Sequence, residues 1–375
     1  MTRMFSSSPD FQAAARIVVA LLVGVAAFSL PAPAVAAGPD RAFFGIQAGL
    51  PSAQDVAMMN RGGAGTLRAV FDAGLEASPD PARWAPYDAL MAAAARARIR
   101  VLPVMIGNAV ARLGLNRPRT RTERTAWGRF ASGVAARYGR GGTFWEMHPE
   151  LEPMSITAYQ VWNEPNLPGY WRPTDDAAGY LRLVRLTRAR LLAVDPQASI
   201  VLAGLPDSRH GTRMLDYVRA IYGQPGARRL FDVVALNPYA PDVSGVLEKL
   251  NEVRAYMDRR GDRGTPIWVT EIGWATGGPR SAFRTSKAGQ AARIARTLRA
   301  LIAARGRLRL EHLIVYALQD RAYGPSERPW WGARTGLFDM AGNPKPAWRT
   351  FVGFTGGRPG GRLRSVTGRG RDTRP

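Results

Sequence analysis

"YQVWNEPNLPGYW" spans residues 159–171, near the middle of the chain. It opens as a short apolar run of the kind that forms a buried strand. It then stops on an acidic residue, Glu164, followed at once by Pro165. Proline has no backbone N–H to give to a ladder, so the chain must leave the sheet at that point. A buried strand that ends on a carboxylate needs a reason, and the rest of the chain supplies one.

On both sides of this stretch, short apolar or β-branched runs alternate with longer amphipathic segments, the pattern of βαβ units and a parallel sheet. Strands are expected at 43–47, 66–72, 100–107, 156–164, 199–205, 231–239, 266–274 and 310–320. Helices are expected between them. Ser52 stands as an N-cap of the first, Gly139 suits the end of the third, Asp175 lies near the start of the fourth and Pro196 stops it. "NPKPAWRTFVGF" (343–354) reads as a short closing helix. Eight strands and eight helical segments over about 310 residues fit an α/β fold, a single (β/α)8 barrel with some loop extension, since such barrels typically use about 250. A doubly wound sheet would carry a nucleotide loop, and no G-x-G-x-x-G or Walker A pattern follows the first strand.

The ends read differently. Arg3 and Arg16 precede "IVVALLVGVAAFSL" (17–30), and Ala34-Val35-Ala36 is an A-x-A cleavage pattern. Residues 1–36 are therefore expected to be a secretory signal peptide, with an uncleaved anchor as the alternative. The mature chain is expected to be secreted, with no membrane span after cleavage. The barrel is expected over 37–355. A Gly- and Arg-rich tail over 356–375 has little to bury and is expected to be disordered.

Composition narrows the chemistry. Hydrophobic residues are 46% of the chain, enough for a sizeable core, and there is no Cys, which excludes disulfides and thiolate chemistry. The three His residues, 148, 210 and 312, show no ligand spacing, so neither a metal nor another cofactor is expected. The formal net charge is +23, carried almost wholly by Arg spread along helices such as "YLRLVRLTRARLL", which reads as a solvated basic surface. No zinc-finger, RNA-binding or basic heptad pattern accompanies that charge, so nucleic acid is not an expected partner. A monomer is expected.

In a (β/α)8 barrel the chemistry sits at the C-terminal ends of the strands. Glu164 ends the fourth expected strand and Glu271 the seventh, and a closed ring brings both to one cleft. Two carboxyl groups across a cleft are what glycoside hydrolysis needs: one protonates the departing oxygen, and the other attacks the anomeric carbon or activates water. Asn163 places an amide beside Glu164. Trp162, Trp171, Trp274, Trp330 and Trp331 lie at or just beyond strand ends, and indole faces stack well on sugar rings. Of these, Trp171 and Trp274 are the candidate sugar contacts.

"WNEPN" followed by "TEIGW" resembles the retaining β-glycosidases of the large (β/α)8 clan that contains glycoside hydrolase families 5 and 39. The nearest likeness is to family 39 and to endo-acting bacterial exopolysaccharide hydrolases, and it runs from "FFGIQ" to "GLFDMAGNPKPAW". The resemblance implies Glu164 as acid/base and Glu271 as nucleophile. It implies that Asn163 holds the sugar 2-hydroxyl, and that Arg68 and Tyr239 contact the nucleophile and favour its ionised form. It departs at two positions. Asn237 stands where many members carry His, and Tyr316 where many carry Trp; both remain candidate substrate contacts, and the sugar stays open.

The expected activity is hydrolysis of a β-linked oligo- or polysaccharide by double displacement, with the two carboxyl groups about 5–5.5 Å apart. Two alternatives use the same scaffold: a non-catalytic carbohydrate-binding or cell-envelope protein, and a transglycosylase built on the same two glutamates.

Overall fold

Parallel strands form the centre of the molecule: β1 (Phe44–Gln47), β2 (Thr66–Asp72), β3 (Arg100–Ile106), β4 (Ala158–Val161), β5 (Ser199–Val201), β6 (Leu205–Pro206), β7 (Val234–Asn237), β8 (Ile267–Ile272) and β9 (Leu310–Tyr316). The computed structural model describes residues 39–74, 81–107, 117–324 and 327–365. The strands follow the order β5-β4-β3-β2-β1-β9-β8-β7-β6. The ring closes through its fifth stave, which is in two pieces. β5 pairs with β4 and bridges Val201 to Val233, just ahead of β7, while β6 pairs Leu205 with Leu236 of β7. β5 and β6 are thus one barrel strand broken at 202–204, and the architecture is a (β/α)8 barrel.

The backbone is closely approached at the break. A Cβ on Gly204 would lie 2.4 Å from Asn237 Oδ1 and 2.5 Å from Thr270 Oγ1, so two polar side chains occupy the space that a side chain at this position would need. The single strand expected over 199–205 is corrected accordingly.

Around the barrel lie α1 (Ala53–Arg61), α2 (Ala85–Arg96), α3 (Arg121–Tyr138), the short α4 (Thr143–Met147), α5 (Ala177–Leu192), α6 (Met214–Tyr222), α7 (Val243–Arg259), α8 (Lys287–Leu308) and α9 (Pro346–Thr355). Ser52 with Asp55, and Thr120 with Glu123, form capping boxes that satisfy orphan N–H groups at the starts of α1 and α3. Asp176, not Asp175, caps α5, with Oδ1 taking the Gly179 N–H at 2.7 Å. α5 buries Tyr180, Val184, Thr187 and Leu191, spaced at helical periods, and turns Arg182, Arg185 and Arg190 to solvent. α4 went unread in the sequence because five residues carry too little periodicity.

The barrel interior is layered. Leu102, Val201, Val233, Ala235, Trp268 and Ile314 form an apolar plug separate from the larger core beneath the helices. Ala158 packs on this plug from β4. Gln160, two residues further along the same strand, faces the same way and belongs to a polar layer nearer the C-terminal ends. Gln47 and Arg68, also buried, complete that layer.

The tail differs from expectation. The Leu363 side chain is buried, its N–H donates to Gly342 O at 2.9 Å, and the Arg358 N–H donates to Arg61 O at 2.6 Å. Residues 356–365 therefore pack on the barrel, because Leu363 gives the Gly/Arg segment one apolar anchor. The expected signal peptide and residues 366–375 lie outside the described residues. Among the described residues, no helix is long and apolar enough to cross a membrane.

Candidate active site

β4 stops at Val161, earlier than the expected 164, and the next residues bend sharply. Trp162 has φ 73° and Glu164 φ 45°, both in the left-handed region that L-residues with side chains avoid. Each such residue costs roughly 1–2 kcal/mol, so surrounding contacts must hold it. The Trp162 N–H donates to Met105 O at 2.8 Å and its indole N–H to Tyr170 O at 3.1 Å. Asn166 pins the following loop through Nδ2 to Pro206 O (2.7 Å) and Thr212 O (2.8 Å). The Glu164 carboxyl is thereby aimed by its backbone.

Glu271 is aimed by a different device. The β8–β9 register shifts between Val269 and Ile272, a bulge that re-orients the residues between them. Glu271 Oε1 accepts from Arg68 Nη1 at 2.5 Å, and Oε2 from the Tyr239 hydroxyl at 2.9 Å.

Arg68 is the hub. Its Nε donates to Gln160 Oε1 (2.8 Å), its Nη1 also to Gln47 Oε1 (2.6 Å), and its Nη2 to Asn163 Oδ1 (2.9 Å). A buried guanidinium is tolerable only when its donors are met, and side chains from β1, β4 and the loop after β4 meet them alongside Glu271. Asn163, with its oxygen fixed by Arg68, keeps its amide N–H groups for other partners, among them the Tyr170 side chain.

Asn237 lies on the other carboxyl. Its Nδ2 donates to Glu164 Oε1 at 3.0 Å, while its Oδ1 accepts from Thr270 Oγ1 at 2.8 Å, which fixes the orientation of the amide. Burial is the first cause that raises the Glu164 pKa, and the facing Glu271 is the second; together they lift it to about 8. Glu164 and Glu271 retain only 9% and 8% exposure.

The mouth has an aromatic wall. Tyr239 meets Trp331 edge-on at 5.0 Å, Phe283 lies 4.6 Å from Trp331, and Tyr316 lies 6.3 Å from Trp330. Trp330 donates to Glu327 Oε1 at 2.7 Å and carries the Arg321 guanidinium 5.7 Å from its ring centre. Buried Lys345 ties the supporting loops together, with Nζ on Asp320 Oδ1 and Thr276 Oγ1, both at 2.8 Å.

The structure therefore brings together Glu164, Glu271, Asn163, Arg68, Asn237, Tyr239 and Tyr316. It does not bring Trp171 and Trp274 to the mouth as open platforms. Trp171 is 2% exposed, lying between Trp162 and Tyr180 with Arg117 over its face; Trp274 is 0% exposed and donates to Ala240 O at 2.9 Å. The half-buried Trp330 and Trp331 take the rim instead. Gln47, Gln160, Thr270 and Tyr170 were not foreseen. Inward alternation along β1 and β4 marks the two glutamines, and Tyr170 sits beside Trp171 within the opening stretch. Among the described residues, no group of three or more His, Asp or Glu is placed to hold a metal ion.

No protein-family model and no curated protein matches the chain. Solved structures do. A family 39 glycoside hydrolase from Bacteroides cellulosilyticus WH2 superposes with a TM-score of 0.61 at 17% identity, over 85% of this chain and 64% of its own. A glucosidase from Croceicoccus marinus gives 0.63 at 14% identity, over 88% and 74%. A family 5 glycoside hydrolase from Bifidobacterium longum subsp. longum gives 0.59 at 11%, over 84% and 77%. The chain thus spans about two thirds of the family 39 protein's length, and at these identities the likeness is one of fold. That fold is shared with the families whose motifs "WNEPN" and "TEIGW" resemble.

Proposed function

We propose that the protein is a retaining β-glycoside hydrolase acting on an oligo- or polysaccharide. The observation that carries this reading is the contrast between two carboxyl groups in one barrel mouth. Glu164 is held protonated by burial and by its acidic neighbour, whereas Glu271 receives an arginine and a tyrosine hydroxyl. In this reading Glu271 attacks the anomeric carbon while Glu164 gives its proton to the departing oxygen, and the C–O bond breaks. Glu164, now a carboxylate, takes a proton from water, which attacks the same carbon and releases Glu271. Asn163 offers its amide to the 2-hydroxyl, and Trp330 and Trp331 face the sugar ring. We also propose export from the cytoplasm, on the strength of residues 1–36; N-terminal sequencing of secreted material should begin after Ala36.

A pH series tests the assignment of Glu164. With its folded pKa near 8, kcat/KM on an aryl β-glycoside should fall on the alkaline side with an apparent pKa near 8, and Glu164→Gln should lower activity roughly 10²–10⁴-fold and abolish that limb. Stability carries the same signature. The folded pKa is raised from 4.5, so the contribution of neutral Glu164 is complete below pH 4.5 and is lost as pH rises through 8. Glu164→Gln should therefore gain Tm relative to the wild type at pH 9 compared with pH 4.5. An unchanged limb in the variant, or a pH-independent Tm difference, would refute the assignment.

A further inference from the structure

At the C-terminal face of the barrel, α3 and α5 begin side by side and pack on one another. Between their first turns lies a hollow of about 310 Å³ lined by Arg117, Arg119, Arg124, Arg182 and Trp171. Four guanidinium groups meet there. Among the described residues, Asp176 and Glu123 are carboxylates that bear on these arginines, and both are committed. Asp176 caps α5 and pairs with Arg117, and Glu123 takes the backbone N–H groups of Arg119 and Thr120 at 2.7 and 2.8 Å.

The remaining guanidinium groups have weak claims on the protein. Arg182 stands 4.0 Å from Asp176, and among the described residues the Arg119 side chain donates to Arg172 O, at 3.4 Å. Arg124 donates to the Arg119 carbonyl. Arg117 lies over the Trp171 ring at 5.1 Å, and its buried Nε–H has no hydrogen-bond partner among the described residues. Burial and the nearby Arg119 and Arg182 lower the pKa of Arg117 from its ordinary value, as expected where cations crowd. Such a cluster is short of anions, and guanidinium forks match planar or tetrahedral oxyanions.

Its place relates it to the catalytic mouth. Trp171 meets Trp162 edge-on at 5.5 Å, and Trp162 directly precedes Asn163 and Glu164. The hollow therefore shares its Trp171 wall with the packing behind the residues that carry Glu164. On the loop after β8, Arg280 and Arg284 line a second hollow with Ser281 and Thr285, so the rim beyond Glu271 carries charge of the same sign.

We propose that the arginine hollow beside Trp171 is a subsite for an oxyanion borne by a glycan, and that the substrate class is an acidic polysaccharide. The proposal rests on the glycosidase reading for its substrate, but not for its binding test. Calorimetric titration of the full-length Glu271→Gln protein would use oligosaccharides of a polyuronate, the same oligosaccharides after carboxyl reduction, a sulfated glycan, and inorganic sulfate. The uronate or the sulfated glycan should bind at least about tenfold more tightly than the carboxyl-reduced chain, and tighter binding should weaken as salt rises. Adding Arg119→Ala and Arg182→Ala should remove that preference. Adding Arg185→Ala and Arg296→Ala, an equal charge loss on exposed positions of α5 and α8, should leave it intact.

Equal binding of charged and reduced chains, an unchanged preference in the Arg119/Arg182 variant, or binding of inorganic sulfate alone would overturn the subsite. Hydrolysis of a neutral aryl β-glycoside by the otherwise wild-type protein separates the two readings. Turnover without the charge preference overturns the subsite alone, whereas the preference without turnover of any glycoside supports the subsite and overturns the hydrolase.

Discussion

Replacing Glu271 by Gln is expected to lower hydrolysis of aryl β-glycosides by roughly four orders of magnitude or more. The substitution keeps the size of the side chain and removes the attacking oxygen's charge, so a covalent glycosyl ester can no longer form. It also changes the hydrogen bonding on both sides. The amide has one acceptor oxygen to share between Arg68 Nη1 and the Tyr239 hydroxyl, where the carboxylate offers two. Substrate binding should survive, so kcat should carry most of the loss. Steady-state kinetics on a dinitrophenyl glycoside, whose leaving group needs little acid assistance, isolate this step. Near-normal turnover by the variant would exclude Glu271 as the nucleophile.

Arg68→Met is expected to affect both fold and activity. The guanidinium is the common partner of Gln160, Gln47, Asn163 and Glu271, and all four lose a donor at once. Removing one partner of a buried ion pair costs about 3–5 kcal/mol, because the other charge is left uncompensated. Activity should fall with it, since the orientation of Asn163 and the placement of the Glu271 carboxyl both depend on this residue. Arg68→Lys should recover little: an ammonium is a compact charge and cannot span acceptors on β1, β4 and β8. Denaturant unfolding and kcat/KM measured on both variants check this, and a Lys variant with wild-type stability and activity would remove Arg68 from the hub.

Much of the site was legible because its chemistry lies in short, contiguous signals. Glu164 next to Pro165, and Glu271 at the end of an apolar run, announce strand ends at a barrel mouth without any tertiary information. Arg68, Asn237 and Tyr239 came only from the resemblance to the glycosidase clan, matched at positions on or after expected strands. What stayed hidden depends on contacts between distant segments. At the two-piece fifth stave, Asn237 and Thr270 close on Gly204, a fact spread over three strands. The left-handed backbone at Trp162 and Glu164 shortens β4 and is invisible to apolar periodicity.

The tryptophans show the same limit. An indole at a strand end packs equally well into a core or against a sugar, and residue type does not choose between them. Trp171 and Trp274 turn inward, each with its N–H directed at a protein acceptor, Asp176 Oδ2 at 3.5 Å and Ala240 O at 2.9 Å. Trp330 and Trp331 stay at the rim because their loop is held from behind by Glu327, Arg321 and the Lys345–Asp320 pair. Tyr170, adjacent to Trp171, faces the opposite way, toward Asn163 and the two carboxyl groups.

The double-displacement mechanism turns on which carboxyl group becomes covalently attached to sugar. A 2-deoxy-2-fluoro β-glycoside with a good leaving group slows release of the glycosyl-enzyme, and peptide mapping by mass spectrometry then locates the adduct. The expected result is stoichiometric labelling of the peptide containing Glu271, with the sugar on that residue and activity lost in step. Labelling of Glu164 or another carboxylate, or turnover of the probe with inversion at the anomeric carbon and no adduct, would contradict it.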